Sequence, residues 1–458
     1  MLSPSTLQNI IGLGLSRGAD FAEVFAEETG SGSVELLDGK IDRITSGIRF
    51  GVGVRLIYGA ETFYGHSNDP AEDVLLRLTE NLARQGAAGG PAPALKASSL
   101  EDHHPVRQDP LGVPKDDRVH LLRRLDAAAR AQGQAIRQVG ASLAESRRQI
   151  LIANSEGLLI EDARNYSRMR VGVIADTGDG PQNGAESPGA LGGWEVFEGM
   201  DMEHLAADAA RRAVVMAQAG YLEGGMMPVV LGNGFGGVIF HEACGHPLET
   251  EAIRKNASPF AGKIGQQVAQ SVLTAVDDGT IASAWGSFNV DDEGTPPQRT
   301  VLIENGVLKS FLADRQGGKL AGAATTGSAR RENYKFAPVA RMRNTFIAPG
   351  PHSVEAMIAS IDNGLYAKKM GGGSVDPATG EFNFAVQEGY RIRKGKIAEA
   401  VRGATLIGKG HEVLPLISMV GADLELAAGM CGASSGWVPT TVGQPTLKID
   451  QILVGGRR

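Results

Sequence analysis

The 458-residue chain changes character at residues 221–225, and this change limits the folds that it can adopt. Before this point, helical stretches with one apolar face alternate with strands in which every second residue is apolar. After it, short apolar strands are separated by glycine-rich turns, and one helix carries chemically reactive side chains. The pattern predicts an α+β fold class, with an N-terminal helix-and-strand domain over 1–222 and a β-rich C-terminal domain over 223–458.

Within residues 1–222 the order of helices and strands loosely repeats, which suggests a duplicated layout. The first unit begins with a helix capped by Ser3, and Asp38-Gly39 predicts a hairpin turn. The other expected elements are a helix over 70–85, a flexible connection over 86–99, a helix over 118–132, strands over 135–146, 148–153 and 166–176, and a polar loop over 177–193.

Charge and cysteine content exclude several classes of function. The net charge of −7 argues against nucleic acid or an anionic membrane as the main partner. No uncharged apolar stretch approaches 18 residues, and no secretory signal pattern opens the chain, so we expect no membrane span. Two cysteines, Cys244 and Cys431, are too few for a disulfide framework. Together these features predict a cytoplasmic protein.

The reactive helix carries the segment His241-Glu242-Ala243-Cys244-Gly245-His246-Pro247. Two imidazoles, with a glutamate directly after the first, resemble the arrangement of zinc proteases, in which the histidines bind the ion and the glutamate takes a proton from water. His241 and His246 are five positions apart, so a regular α-helix at about 100° per residue would point them in directions roughly 140° apart. A π-type turn, or a helix that ends between the histidines, would bring them together. Because Gly245 and Pro247 both favour a helix end, we expect His241 in the last regular turns and His246 at a distorted terminus.

A catalytic zinc site needs a third protein ligand and one open position. Cys431 is the first candidate, because a thiolate suits zinc and the flanking Gly429 and Gly432 allow the backbone to approach a helix. His411, followed by Glu412, is the next choice. Cys244 lies inside the motif and is expected to face the core.

The chain resembles the TldD/PmbA metalloprotease family over nearly its whole length. The segments that carry this resemblance are 234–249, which contains the histidine motif, and 291–296, 301–306, 328–334, 342–345, 371–373, 403–410, 431–432 and 442–448, together with 38–39 and 51–55. Residues 433–437 are a variable stretch, which leaves substrate preference open.

The resemblance implies a cytoplasmic zinc peptidase of the TldD type, with the C-terminal half as the metallopeptidase domain. Carried over by motif, the metal ligands are His241, His246 and Cys431, and Glu242 is the motif glutamate. The family acts on unfolded peptides such as leader peptides and antitoxin fragments. Its members work as homodimers, or as heterodimers with a PmbA (TldE) paralogue that lacks the metal motif.

The mechanism expected from the residues is metal-assisted amide hydrolysis with Glu242 as general base. The many short strands suit a peptide bound as an added β-strand. Arg330, Arg331 and Tyr334 are candidate substrate contacts, and the alternative is an exposed charged loop. A non-catalytic peptide-binding scaffold or partner subunit is the competing function, although three ligands are easier to find here than the four of a structural zinc site. A gyrase-linked regulator is disfavoured by the negative charge.

Overall fold

The computed structural model describes residues 2–84, 90–376 and 379–457. The expected connection over 86–99 therefore lies partly outside the described residues. The elements of the N-terminal part are α1 (Pro4–Ser16), β1 (Phe21–Leu37), β2 (Lys40–Tyr58), β3 (Glu61–Ser67), α2 (Glu72–Leu82), β4 (Lys96–Ala97), α3 (Lys115–Arg130), β5 (Ile136–Asn154), β6 (Leu158–Ala175), β7 (Gln182–Glu186), β8 (Gly189–Leu191) and α4 (Met202–Gln218).

The helices and strands of the remaining chain are shorter. They are β9 (Gly220–Tyr221), β10 (Gly225–Leu231), α5 (Val238–Phe240), α6 (Thr250–Arg254), β11 (Ala275–Asp278), β12 (Arg299–Glu304), β13 (Val307–Leu308), α7 (Arg315–Ala321), β14 (Ala329–Arg330), β15 (Val339–Ala340), β16 (Asn344–Ile347), α8 (Val354–Ala359), β17 (Asn363–Asp376), β18 (Glu381–Arg393), β19 (Lys396–Arg402), β20 (Thr405–Lys409), α9 (Gly410–Val413), β21 (Ile417–Val420), β22 (Glu425–Ala433), β23 (Gly436–Gln444) and β24 (Leu447–Gly455).

The α+β fold class is confirmed, and the N-terminal part forms one eight-stranded sheet. Its strand order is β3-β2-β1-β5-β6-β4, with β7 and β8 also paired to β6. The hairpins β1–β2 and β5–β6 meet where β1 pairs antiparallel with β5, so two helix-and-hairpin units lie side by side. Asp38 and Gly39 form the predicted turn with φ of 50° and 75°, and Ser3 caps α1 by accepting the N–H of Thr6 at 3.1 Å.

The two faces of this sheet have different roles because successive side chains of a strand point to opposite sides. On one face, Val24 packs among α1 and α2 residues in a buried apolar cluster. On the other, Phe25 and Ile152 pack against Val290 and Tyr334 of the C-terminal part. The middle of the sheet is therefore buried between its own helices and the rest of the chain, whereas residues 42–49 of β2 are exposed.

Two sequence expectations for this region were wrong. The 177–193 segment is not a loop throughout, because β7 and β8 lie within it and extend the sheet. The strands expected at 135–146 and 148–153 are one continuous strand, β5, and β1 likewise runs through Gly30 and Gly32. These glycines break the apolar alternation but let Leu111 approach, since a Cβ on Gly30 would lie 2.9 Å from Leu111 Cδ1.

The C-terminal part consists mainly of two larger sheets. In the first, strands run in the order β17-β10-β24-β20-β18-β19-β9, β21 pairs with β24, and an additional pairing between β17 and β18 closes five of the strands into a ring. The second has the order β13-β12-β11-β16-β23-β22, so β22 is an edge strand among the described residues. No helix in the described part of the chain is long and apolar enough to cross a membrane.

Candidate metal centre

The histidine motif lies on a helical segment that changes its winding. A 3₁₀ turn at Gly234–Gly237 leads into α5, and residues His241–Gly245 then form a π-helical turn. The backbone N–H of His246 donates to the carbonyl of His241, which is the five-residue spacing of a π-helix. The wider turn brings both imidazoles to one side, with ring centroids 5.1 Å apart. The helical segment does not end between the histidines as expected, because the π turn continues to Gly245 and a 3₁₀ turn follows over His246–Leu248. The π-type turn therefore accounts for the unusual spacing.

Cys431 on the edge strand β22 completes a three-residue cluster. Its Sγ lies 3.1 Å from Nε2 of His241 and 3.2 Å from Nε2 of His246. Among the residues that the structure describes, these three form the single group of histidine, cysteine and acidic side chains with metal-ligating proximity, their ligand atoms lying within 4.8 Å of one another. The long separation in sequence is bridged by the packing of β22 against the helical segment.

Separate contacts to the backbone hold the Cys431 strand and the π turn in place. The buried Arg341 guanidinium donates to the carbonyl of Cys431 at 2.6 Å and to the carbonyl of Gly436 at 3.0 Å, which fixes the β22–β23 hairpin. Gly410 lies against the π turn, where a Cβ would be 2.3 Å from the carbonyl oxygen of Ala243. The absence of a side chain at Gly410 is therefore required for the approach.

Glu249 orients one of the histidines, a role that the sequence analysis did not assign. Its Oε2 lies 3.0 Å from Nδ1 of His246, and its Oε1 accepts the backbone N–H of Met342 at 3.2 Å. Metal-ligating histidines generally give their second ring nitrogen to such a partner. The signal was present in the sequence, because Glu249 closes the family signature at 234–249. Nδ1 of His241, by contrast, is buried without a hydrogen-bond partner among the described residues.

Glu242 is the most accessible acidic group of the centre. Its side chain is 27% exposed, and its Oε2 lies 3.8 Å from Nε2 of His246. Being next to His241 on the π turn, it borders the cluster without occupying a position among the three converging atoms. This position suits a group that handles protons at the open side of the site.

The two cysteines have opposite electrostatic surroundings. Burial tends to raise the pKa of the Cys431 thiol, but His241 and His246 outweigh burial and bring that pKa well below its ordinary value. Burial raises the pKa of Cys244 with no opposing partner, in agreement with its predicted core position. For His246, burial tends to lower the pKa, but Glu249 and Cys431 outweigh burial and bring that pKa well above its ordinary value.

The remaining candidates lie elsewhere. His411 and Glu412 are outside the cluster, and their side chains approach each other at 3.9 Å. Arg330, Arg331 and Tyr334 are all buried, so the alternative of an exposed charged loop is wrong.

Arg330 and Arg331 already bind partners inside the protein. Arg331 donates to Glu23 at 2.6 Å, across the interface between the N-terminal sheet and the C-terminal part. Arg330 donates to the carbonyl of Met342 at 2.8 Å, and burial lowers its pKa to about 10. A peptide could bind these two arginines only after those internal contacts were broken.

The donor set fits a borderline-soft divalent cation. Two imidazole nitrogens and a thiolate that point at one another are typical zinc ligands, and three protein ligands leave one position open. The fixed Nδ1 of His246 leaves its Nε2 facing Cys431. The arrangement can therefore hold a metal ion beside a carboxylate.

Family models cover most of the chain. The PmbA/TldA metallopeptidase C-terminal domain matches residues 224–456, which contain the whole cluster. The chain belongs to the TldD/PmbA family of metallopeptidases. The central domain of the same family matches residues 108–217, and its domain 1 matches residues 22–86.

Relatives in the TldD/PmbA family are named as proteases. The chain is 38% identical over 468 residues to the metalloprotease TldD homolog of Haemophilus influenzae, with 99% of this chain and 97% of that protein covered. It is 33% identical over 442 residues to a metalloprotease of Methanothermobacter thermautotrophicus, covering 95% and 96% of the two chains. The protein is accordingly a metalloprotease of the TldD type.

Solved structures share the fold of this TldD-type chain. A putative modulator of a DNA gyrase from Thermotoga maritima superimposes with a TM-score of 0.79 at 20% identity, covering 95% of this chain and 96% of that one. TldE from Thermococcus kodakarensis gives 0.78 at 18% identity, covering 98% and 100%. At these identities the likeness concerns the fold alone.

Proposed function

We propose that this metalloprotease is a zinc-dependent peptidase that hydrolyses unfolded or extended peptides, with Glu242 as general base. The observation that carries the proposal is the convergence of His241, His246 and Cys431 on one point beside the accessible carboxylate of Glu242. Three ligands and an adjacent base are the parts that a hydrolytic zinc site needs. A scaffold would need neither an open ligand position nor a proton acceptor.

In this proposal His241, His246 and Cys431 hold the ion, and Glu249 keeps His246 in the binding orientation. When bound, the ion supplies Lewis-acid polarisation of the scissile carbonyl and of a water molecule. Glu242 accepts the proton of the attacking water and delivers it to the departing nitrogen, which then leaves as a neutral amine and not as an amide anion. Its exposure on the open side allows both transfers.

The position of Cys431 supports an extended peptide as substrate. Cys431 lies on β22, which pairs with β23 and is the last strand of its sheet in the described part of the chain. A peptide added beside an edge strand is held mainly through its backbone, which tolerates many sequences. Leader-peptide processing or antitoxin-type degradation would use such a site.

Assembly and location are part of the same proposal. We expect a homodimer, or a heterodimer with a PmbA/TldE-like paralogue, and neither nucleic acid nor membrane as a partner. Cys244 and Cys431 are both free of disulfide bonds, which is consistent with a reducing cytoplasm.

The decisive experiment is Glu242→Gln, assayed with a fluorogenic peptide library in the presence of zinc and of any cognate partner subunit. Gln is nearly isosteric but cannot take the proton, so hydrolysis should fall by about 10²–10⁴-fold while zinc content and fold are retained. Glu412→Gln, a surface change outside the cluster, is the matched control and should leave the rate unchanged. Full activity of Glu242→Gln would remove Glu242 from the mechanism, and an inactive wild type would favour the scaffold.

The preference for unfolded substrates is tested with one substrate protein in its folded and unfolded forms. We expect the assembled enzyme to cleave the unfolded form and to leave the folded form largely intact, because only an extended chain can lie beside β22. Equal cleavage rates for the two forms would contradict an extended-peptide site.

A further inference from the structure

A large cleft runs alongside the strand that carries Cys431. Its volume is about 630 Å³, and residues Glu425 to Ala428 of β22 form part of one wall. Arg168 of β6 and the β7–β8 connection form part of the facing wall, and Phe235, just before the histidine motif, lines it as well. The cleft thus lies between the N-terminal sheet and the C-terminal part, and β22 leads from it to the metal centre.

Arg168 is held at a defined place in this cleft. Its Nε donates to Oγ of Ser187 at 2.9 Å, and its guanidinium lies 5.4 Å from the ring centre of Trp285. The indole of Trp285 in turn donates to the carbonyl of Gly429 at 2.7 Å. The guanidinium is therefore pre-oriented against β22, which lowers the entropy lost when it binds a ligand.

The charge of Arg168 is not neutralised in the described part of the chain, where no carboxylate lies within ion-pair distance of it. Arg164, four positions earlier on the same face of β6, shows the contrast, since Asp162 and Asp292 bind it at 3.0 and 2.7 Å. The one contact of Arg168 with β22 is a long hydrogen bond of 3.4 Å to the carbonyl of Ala428. A carboxylate entering the cleft could replace that weak contact with a charge-assisted one.

Other charges in the cleft leave this position cationic. Arg170, two positions further along β6, also lines the cleft, while Lys369 is paired with Glu186 at 3.0 Å. The carboxylate of Glu425 belongs to the opposite end of the β22 wall, three residues before Ala428, so it lies away from Arg168 along the strand.

Geometry relates Arg168 to the reaction centre. Ala428 precedes Cys431 by three residues on a continuous strand, or about 10 Å at roughly 3.3 Å per residue. We infer that Arg168 is a specificity-determining residue that binds a carboxylate of the peptide about three residues from the scissile bond. The carboxylate belongs either to an acidic side chain or to the free C-terminus. This inference rests on the proposed peptidase function and on a peptide lying along β22.

The experiment uses the full chain with zinc and any cognate partner. One peptide set carries Glu, Gln or Lys in turn at each of the positions flanking a fixed cleavage site, and a second compares a free C-terminal carboxylate with its amide. In wild type, Glu at one position about three residues from the cleavage site, or the free carboxylate at that distance, should raise kcat/KM about tenfold, mainly through KM. The first peptide set reports a side-chain source and the second a C-terminal source.

Arg168→Gln should abolish that preference, with a much larger loss of kcat/KM for the Glu peptide than for the Gln peptide, and Arg168→Lys should restore part of it. Arg170→Gln removes the same charge from the same strand face and is the matched control, which should keep most of the preference. An unchanged Glu-to-Gln ratio in Arg168→Gln would overturn the inference. So would an equal loss of rate for every peptide, because that result indicates a purely structural role.

Binding to the Glu242→Gln variant keeps this test independent of catalysis. Fluorescence anisotropy of labelled peptides should show the same approximately tenfold preference for the carboxylate, lost when Arg168→Gln is added. If the wild type cleaves nothing, the peptidase proposal fails, while the binding data still support or refute the role of Arg168.

Discussion

Oε2 of Glu249 lies 3.0 Å from Nδ1 of His246, while the other oxygen of this buried carboxylate accepts the backbone N–H of Met342. Glu249 therefore joins the histidine motif to the segment just before β16. The contact fixes the ring so that Nε2 faces Cys431, and it makes the imidazole a better electron donor.

Glu249→Gln should weaken zinc binding by about 10–100-fold, because the amide keeps the size of the side chain but loses its charge. Competition with a chromophoric chelator measures the affinity directly. Glu251→Gln is the matched control, since Glu251 pairs at the surface with Lys255 and Arg254. Equal affinities in the two variants would show that Glu249 does not tune the ligand.

Cys431→Ser should release zinc far more readily than Cys244→Ser. Sγ of Cys431 lies next to both imidazoles, whereas Cys244 is a buried apolar-core residue whose thiol pKa is raised by burial. Metal content after dialysis against a weak chelator distinguishes the two variants. Similar retention in both would reject Cys431 as a ligand.

Gly410→Ala should distort the metal centre although residue 410 is not a ligand. The new Cβ would lie 2.3 Å from the carbonyl oxygen of Ala243, and backbone of the π turn cannot move aside without shifting the histidines. We expect at least a tenfold loss in zinc affinity. The melting temperature should also fall, because an extra methyl group in a packed site forces its neighbours to shift. Gly372→Ala has open space around its Cβ and should behave like wild type.

Asp292→Asn should destabilise the protein in a pH-dependent way. Burial by itself raises the pKa of Asp292, but Arg164, Arg148 and Arg331 outweigh it and lower the pKa to about 2, below the ordinary 3.8. The ionised carboxylate therefore stabilises the folded state above about pH 4, and this stability is lost as the pH falls towards 2.

At pH 7 the Asn variant should lose about 3 kcal/mol of unfolding free energy, because Arg164 loses one partner of a buried pair. Urea titrations at pH 7 and at pH 3 measure the loss at each pH. The gap between variant and wild type should narrow at the lower pH. A constant gap across this range would show that the charge of Asp292 is not the cause.

The local chemistry of the chain could be predicted from its residues, whereas most contacts between distant segments could not. Asp38-Gly39 specified its hairpin because this pair readily adopts positive φ. The five-residue histidine spacing excluded a regular α-helix through both histidines, but it left open whether a π turn or a helix end would bring them together. The β7 and β8 strands were missed because their pairing with β6 stabilises a polar, glycine-rich segment that has no strand pattern of its own.

The sequence by itself determined the fold class, the family and the identity of the reactive groups, since residue type and spacing along the chain encode these directly. Only the tertiary structure decided that Cys431, and not the other candidate His411, meets His246. It also decided that Glu249 turns towards the ring of His246 and that Arg331 is buried against Glu23. The physical reason is that these contacts depend on how sheets and helices pack, and packing distances are set by all the side chains between them, not by local sequence.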